Sequence, residues 1–260
     1  KKKTDKGGIF LNKGTSPYNE TKLIKKKCDE YVVLDQELTP GFNDKIFDYT
    51  ISARVYDRTV KYIDRYYVIN NAVAARAKKI FKKLGGNAKI LVAGWPRIDL
   101  LKENFLSFYK TEIKKHKKKY KKHILFNSDF GSITEEEIQK VRNNILTSFE
   151  KDKPIAHQKK RIFFINDQLN HQLDNLNNTK AFLKKLSYSY PKMNFVIRSH
   201  PGEHISGWHK FCKNLKNFKV QAPTNAIAVA LLSADAVIHR GCTTSYETVL
   251  LNKKSGYINV

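Results

Sequence analysis

The sequence predicts an α/β protein built on parallel sheets. Two observations lead there. Apolar runs of strand length, rich in Val, Ile, Leu, Phe and Tyr, recur along the chain. Helix-length segments separate them, and strands that alternate with helices assemble into parallel sheets with α/β layers. Several runs end in a polar or glycine-bearing turn, at the edge where such sheets hold ligands.

A chain of 260 residues has room for two domains of about 130 residues each. Its hydrophobic content of 41% supports real cores. The reading divides it into residues 1–118 and 119–260.

In the first half, residues 8–12 read as a strand and 18–27 as a helix. Tyr31-Val32-Val33-Leu34 is a buried strand that runs into Asp35-Gln36-Glu37. Carboxylates at the end of such a strand share an edge with any ligand and can serve as nucleophile or general base. Equally, they can be turn acids that meet the abundant lysines. Residues 52–63 suit a helix with Val55, Val60 and Ile63 on one face, and 66–69 a strand. Asn70 and Asn71 cap the next helix, which passes through Ala74, Ala75 and Ile80 to Leu84 and ends at Gly85-Gly86. The strand 89–93 closes in Gly94-Trp95-Pro96-Arg97-Ile98-Asp99. Arg97 there can reach a substrate acid, or pair with Asp99 and pin the crossover. Residues 102–122 read as one long basic helix, whose like charges are solvated or meet something anionic.

The second half opens on the strand 123–127, followed by Ser128-Asp129-Phe130-Gly131, and Ser132 to Glu135 start a helix. A long polar helix over 156–188 covers a sheet face through Ile162, Phe163, Leu169, Leu173, Leu176 and Phe182. Phe195-Val196-Ile197-Arg198 is a buried strand that hands over to Ser199-His200-Pro201-Gly202-Glu203, where Pro201 cannot continue a ladder. Arg198 and His200 can donate to phosphate oxygens, and a histidine there titrates near neutral pH. The alternative is that Arg198 pairs with Glu203. A helix over 208–215, a strand over 218–220 and a helix over 226–232 lead to Ala236-Val237-Ile238. That strand turns through His239-Arg240-Gly241, where glycine takes angles other residues resist. Cys242, Thr243, Thr244 and Ser245 then precede a helix with Glu247 in its first turn. Such a strand, tight turn and hydroxyl-rich helix start reads either as an anion cradle or as a well-capped helix after a core strand.

Net charge of +25 attracts polyanions such as anionic lipid or acidic glycans. Nucleic acid is disfavoured, because lysine outnumbers the better base-edge residue, arginine, and no nucleic-acid motif occurs. The three cysteines, Cys28, Cys212 and Cys242, match no zinc or disulfide spacing, and a reducing cytoplasm fits them. No apolar run approaches the roughly 18 residues of a membrane span. The first residues lack the apolar core of a signal peptide. The last residues stop as a strand begins, so the sequence reads as incomplete at both ends.

The segments Arg198-Ser199-His200-Pro201-Gly202-Glu203 and His239-Arg240-Gly241-Cys242-Thr243-Thr244-Ser245-Tyr246-Glu247 together carry a resemblance. With Gly94-Trp95-Pro96-Arg97-Ile98-Asp99 and the Asn127-Ser128 strand end, they resemble the bacterial surface carbohydrate biosynthesis proteins. These are GT-B glycosyltransferases similar in layout to the retaining β-Kdo transferases of capsule and O-antigen assembly. The resemblance implies a GT-B-like fold of two Rossmann-like parallel-sheet domains facing a cleft. It implies a nucleotide-sugar donor, CMP-linked as in CMP-Kdo, and a glycan or lipid-linked glycan acceptor. The nucleotide would be held by Arg198, His200, Pro201, Glu203, Cys242, Thr243, Thr244, Ser245 and Glu247. Arg97, Asn127, Ser128 and His239 would line the cleft, and Asp35 or Glu37 would be catalytic. The family's acidic cluster is followed by glycine, whereas here the nearest glycine is Gly41, which leaves the choice between the two acids open. No metal or other cofactor is called for, since there is no Asp-x-Asp site. A cytoplasmic protein, peripheral on the inner membrane face, is expected. A CDP-polyol phosphotransferase of teichoic-acid type shares the His-Pro loop and the Ser/Thr turn and stands as the alternative. A non-catalytic basic module that binds nucleic acid or membrane is the third reading.

Overall fold

The computed structural model describes residues 7–37, 44–55, 58–130, 136–140, 143 and 155–259. The chain divides into two compact units, Lys1–Lys102 and Glu103–Val260. Both are parallel α/β units, as the alternation of strands and helices requires.

The first unit holds strands β1 (Ile9–Asn12), β2 (Glu30–Leu34), β3 (Arg65–Val68) and β4 (Lys89–Val92), all parallel and in the order β1-β2-β3-β4. Helices α1 (Tyr18–Lys27), α2 (Asp44–Arg54) and α3 (Asn71–Lys83) lie between them in sequence. Tyr31, Val33, Ile51, Tyr66, Val68, Ala77 and Phe81 form the core. Asn70 caps α3 as its sequence predicts, its side chain accepting from the Val73 N–H at 2.9 Å. The expected helix over 52–63 is corrected: α2 starts earlier and ends at Arg54, and Val60–Tyr62 is a 3-10 turn. Val55, Val60 and Ile63 are nevertheless buried. Their spacing marked a buried face, which a helix end and a tight turn supply together. Thr39, Pro40 and Gly41 lie outside the described residues.

The second unit holds β5 (Ile124–Asn127), β6 (Phe195–Arg198), β7 (Phe218–Gln221), β8 (Ala236–His239) and β9 (Lys254–Tyr257). They pair in parallel in the order β7-β6-β5-β8-β9. The chain therefore steps outward from β5 to β7 and returns to place β8 on the other side of β5. This is a doubly wound, Rossmann-like sheet whose order reverses between β5 and β8. Successive residues of β5 and β6 feed opposite faces, as strand geometry demands. Phe126 and Ile197 join Phe195, Trp208, Leu176 and Leu183 in one core, and Leu125 and Val196 join Tyr120, Ala230 and Val237 in the other. Burial on both faces explains why these strands read as unbroken apolar runs.

The helices of this unit are α4 (Lys110–Tyr120), α5 (Ile155–Ser189), α6 (Ile205–Cys212), α7 (Ile227–Ser233) and α8 (Thr244–Leu250). The single basic helix expected over 102–122 is broken into Glu103–Leu106, a 3-10 turn at Ser107–Tyr109, and α4. Behind its lysines α4 buries His116 and Tyr120 and packs on α7. It belongs to the second unit, so the division expected at 118/119 falls at 102/103. The helix expected over 208–215 is shifted to α6, which places Trp208 at its buried centre. Leu169 and Leu176 of α5 are buried as expected. The helix start at 132–135 and the side chains of Ile162 and Phe163 lie outside the described residues. Among the described residues no helix is long and apolar enough to cross a membrane.

Candidate functional site

Ligands of open parallel sheets bind beyond the carboxyl ends of the strands, where the strand order reverses. In the first unit the order of the described strands runs without reversal, whereas in the second it reverses between β5 and β8. The residues at the ends of those two strands are the ones the sequence motifs single out.

Asn127 ends β5. Its side-chain amide donates to Thr244 Oγ1 at 2.7 Å and lies 3.5 Å from Cys242 Sγ. Cys242 Sγ is itself 2.9 Å from Thr244 Oγ1. The end of β5 is thereby tied to the start of α8. The next residue, Ser128, donates to Glu203 Oε1 at 2.6 Å. Glu203 Oε2 accepts from the backbone N–H of His200 at 3.0 Å and from Trp208 Nε1 at 2.8 Å. One carboxylate therefore fastens the His-Pro turn to β5 and to α6. Arg198 donates to the Asn225 carbonyl at 2.8 Å, which ties β6 to the loop before α7. Arg240 lies over the Phe130 ring at 4.3 Å and reaches Asp129 Oδ1 at 3.4 Å. Gly241 adopts a φ of +89°, the left-handed region that its turn requires, and its N–H donates to His239 Nδ1 at 3.2 Å.

Burial sets the electrostatics here. It raises the Glu203 carboxyl to about 7, against the opposing hydrogen bonds from Ser128 and Trp208 and from the His200 and Phe130 backbone. It raises Asp129, opposed chiefly by Arg240. It lowers His239, so that this imidazole stays neutral and accepts from Gly241.

The expected site residues of this unit fall into two sets. Asn127, Ser128, Arg198, Glu203, His239, Thr244 and Glu247 are buried, Glu247 fully. Apart from Glu247, whose carboxylate is buried, their side chains make the bonds given above that hold the turns in place. His200 and Pro201 are exposed, and Cys242, Thr243 and Ser245 are half-buried. This second set forms the reachable edge. The alternative pairing of Arg198 with Glu203 is not among the bonds described above, in which each side chain anchors a different loop. Thr243, at the N-cap position of α8, makes no side-chain capping bond. Nothing in the sequence pattern marks Trp208, Arg240, Asp129 or Phe130 as site residues. Arg240 and Asp129 stand inside the motifs, but their mutual contact has no local sequence signal.

The first unit separates its two acids. Asp35 is 4% exposed and accepts from Arg54 Nη2 at 2.9 Å, from Arg54 Nε at 3.2 Å and from the Tyr66 hydroxyl at 2.7 Å. Burial and the adjacent carboxylate hold the Tyr66 hydroxyl far above its ordinary pKa. Asp35 also accepts from the Glu37 N–H at 3.1 Å, so it organises the turn. Glu37 itself is half exposed, with Lys13 at 3.8 Å. Arg97 lies on the short helix Pro96–Asp99. The Asp99 carboxylate meets Lys102 at 2.7 Å, and Trp95 Nε1 donates to the Gln36 carbonyl at 2.9 Å.

No family model matches the chain, and no curated protein is similar enough to count as a relative. Among solved structures it is similar to the wall teichoic acid polymerase TagF, in a structure soaked with CDPG. The TM-score is 0.42 and the identity 10%, over 90% of this chain and 54% of that one. The chain spans about half the length of that polymerase.

Proposed function

We propose that this chain is a nucleotide-dependent transferase that takes its donor at the carboxyl edge of the second sheet. One observation carries the reading. At the reversal point of the sheet, the Asn127–Thr244 bond and the Ser128–Glu203 bond hold the His200-Pro201 turn and the Thr243–Ser245 turn at one edge. An imidazole and hydroxyl groups so placed suit the phosphate oxygens of a nucleotide.

The resemblance of these turns to the surface carbohydrate biosynthesis proteins favours a cytidine nucleotide. The transferred group is then a sugar, as from CMP-Kdo, destined for a surface polysaccharide. Glu37 is the carboxylate available for chemistry, as nucleophile at the anomeric carbon or as base toward the acceptor hydroxyl, because Asp35 is committed to Arg54 and Tyr66. The alternative is transfer of a polyol phosphate from a CDP-polyol. In that case the acceptor hydroxyl attacks the outer phosphorus, and the bond to CMP breaks. The acceptor is a glycan or a lipid-linked glycan. The exposed lysines of α4, from Lys114 to Lys119, suit an anionic membrane surface that carries it.

Both readings release CMP, and the mass gained by the acceptor separates them. Incubation with CMP-Kdo or CDP-glycerol and a glycan acceptor should give CMP release with one donor, together with a matching mass gain. Turnover of neither donor, with or without acceptor, would remove the cytidine assignment.

A further inference from the structure

The contact between Arg240 and Asp129 crosses the reversal point of the second sheet. Asp129 stands in the turn after β5, and Arg240 follows the last residue of β8, the two strands between which the order reverses. His200, in the turn after β6, is near enough for its charge to act on Asp129. Three turns therefore meet around this pair. The guanidinium is held in two ways. It lies over the Phe130 ring at 4.3 Å, and that ring is 2% exposed and packs beside Trp208 in the core. Among the described residues its one hydrogen bond runs from Nη1 to Asp129 Oδ1 at 3.4 Å. That is well beyond the roughly 2.7–2.9 Å of a charge-assisted bond, and it engages one arm of the fork. Neither side chain is sealed from solvent, with Arg240 17% and Asp129 22% exposed. Burial disfavours the charged carboxylate of Asp129, opposed chiefly by Arg240.

We propose that Arg240 is the cation that takes the donor's phosphate, and that Asp129 is its counter-ion when no nucleotide is bound. The inference rests on the nucleotide reading above and names the residue that supplies that edge with permanent positive charge. A guanidinium offers two parallel N–H groups to two oxygens of one phosphate, which an imidazole or a hydroxyl does not. Stacking on Phe130 sets the plane of the fork without help from Asp129, so exchanging one long carboxylate contact for phosphate orders little that is not already ordered. Asp129 is thus a positioning residue that acts through Arg240. It balances a largely buried charge and competes with phosphate for it.

The test is calorimetric titration of CDP against the intact wild type, Arg240→Ala, Arg240→Lys, Asp129→Asn, the double variant Arg240→Ala/Asp129→Asn and His200→Ala, with a thermal melt of each. Arg240→Ala should weaken CDP about tenfold or more, the loss of a charge-assisted contact. Arg240→Lys should recover only part of this, because an ammonium keeps the charge but not the fork. Asp129→Asn should tighten CDP about fivefold, the worth of one partly exposed ion pair, a gain that a merely structural role would not give. That gain should vanish in the double variant. Unchanged affinity in Arg240→Ala, weaker binding in Asp129→Asn, or an Asp129→Asn gain that persists without Arg240 would each overturn the assignment. CDP binding that weakens in His200→Ala but not in Arg240→Ala would remove this inference alone, whereas absence of CDP binding to the wild type would remove the nucleotide reading with it.

Discussion

Asn127 and Thr244 stand 117 positions apart, and the side-chain amide of the first donates to the hydroxyl of the second at 2.7 Å. The bond closes the reversal point of the second sheet and fixes the hydroxyl-rich turn against the end of β5. Thr244→Val keeps the shape and removes the acceptor, leaving a buried amide whose own oxygen is already unpaired among the described residues. The expected loss is about 1–3 kcal/mol of stability, read by denaturant unfolding, with weakened nucleotide binding. Thr244→Ser should restore most of both. A Thr244→Val protein with unchanged stability would show that this bond does not hold the turn.

The two acids of the first unit should respond in opposite ways. Asp35→Ala leaves Arg54 and the Tyr66 hydroxyl without their buried partner, at a cost of about 3–5 kcal/mol. Glu37→Gln changes a half-exposed side chain and should leave the melting temperature within a degree or two, since surface changes stay within about 0.5 kcal/mol. Its turnover should nevertheless collapse, at unchanged nucleotide affinity. The comparison needs only a melt, a titration and a rate for each variant.

Glu203 gives the second unit a pH-dependent stability. Its folded pKa of about 7 lies above the ordinary 4.5, so between these values the folded state binds more protons than the unfolded one. By linkage, the contribution of this group to stability is complete below about pH 4.5 and is lost as pH rises to about 7, by on the order of 3 kcal/mol over the whole span. Glu203→Gln keeps an oxygen for His200 and Trp208 and an amide for Ser128. It should flatten this slope, and melts at pH 5 and pH 8 decide the point.

Gly241→Ala places a side chain at a φ of +89° and a Cβ 3.2 Å from the Tyr257 ring. A loss of about 1–2 kcal/mol is expected in thermal unfolding. Because the turn carries Cys242 and Thr243, nucleotide affinity should fall as well.

The sequence predicts most of the strands to within a residue, because β5 and β6 are buried on both faces and leave unbroken apolar runs. It also places the motif residues at strand ends, and there the structure finds them. What it does not reveal is which of them stay reachable. Glu203, Arg198 and Glu247 look as available for a ligand as His200 does, yet their burial depends on partners such as Trp208 and Asn225, which the motifs do not include. The same holds for Asp35 and Glu37: the difference between them is made by Arg54 and Tyr66, distant in sequence. The basic helix misleads in a related way. Its lysine run signals solvent, while His116 and Tyr120 on the hidden side attach it to the second unit.

We propose that the exposed His200 edge of the second sheet holds nucleotide phosphate. Calorimetric titration of CMP, CDP, UDP and GDP against the wild type and His200→Ala tests it most directly. The expected result is selective binding of a cytidine nucleotide that weakens about tenfold in His200→Ala, the worth of one charge-assisted contact. Absence of binding for all four nucleotides, or equal affinity in the wild type and His200→Ala, would contradict it.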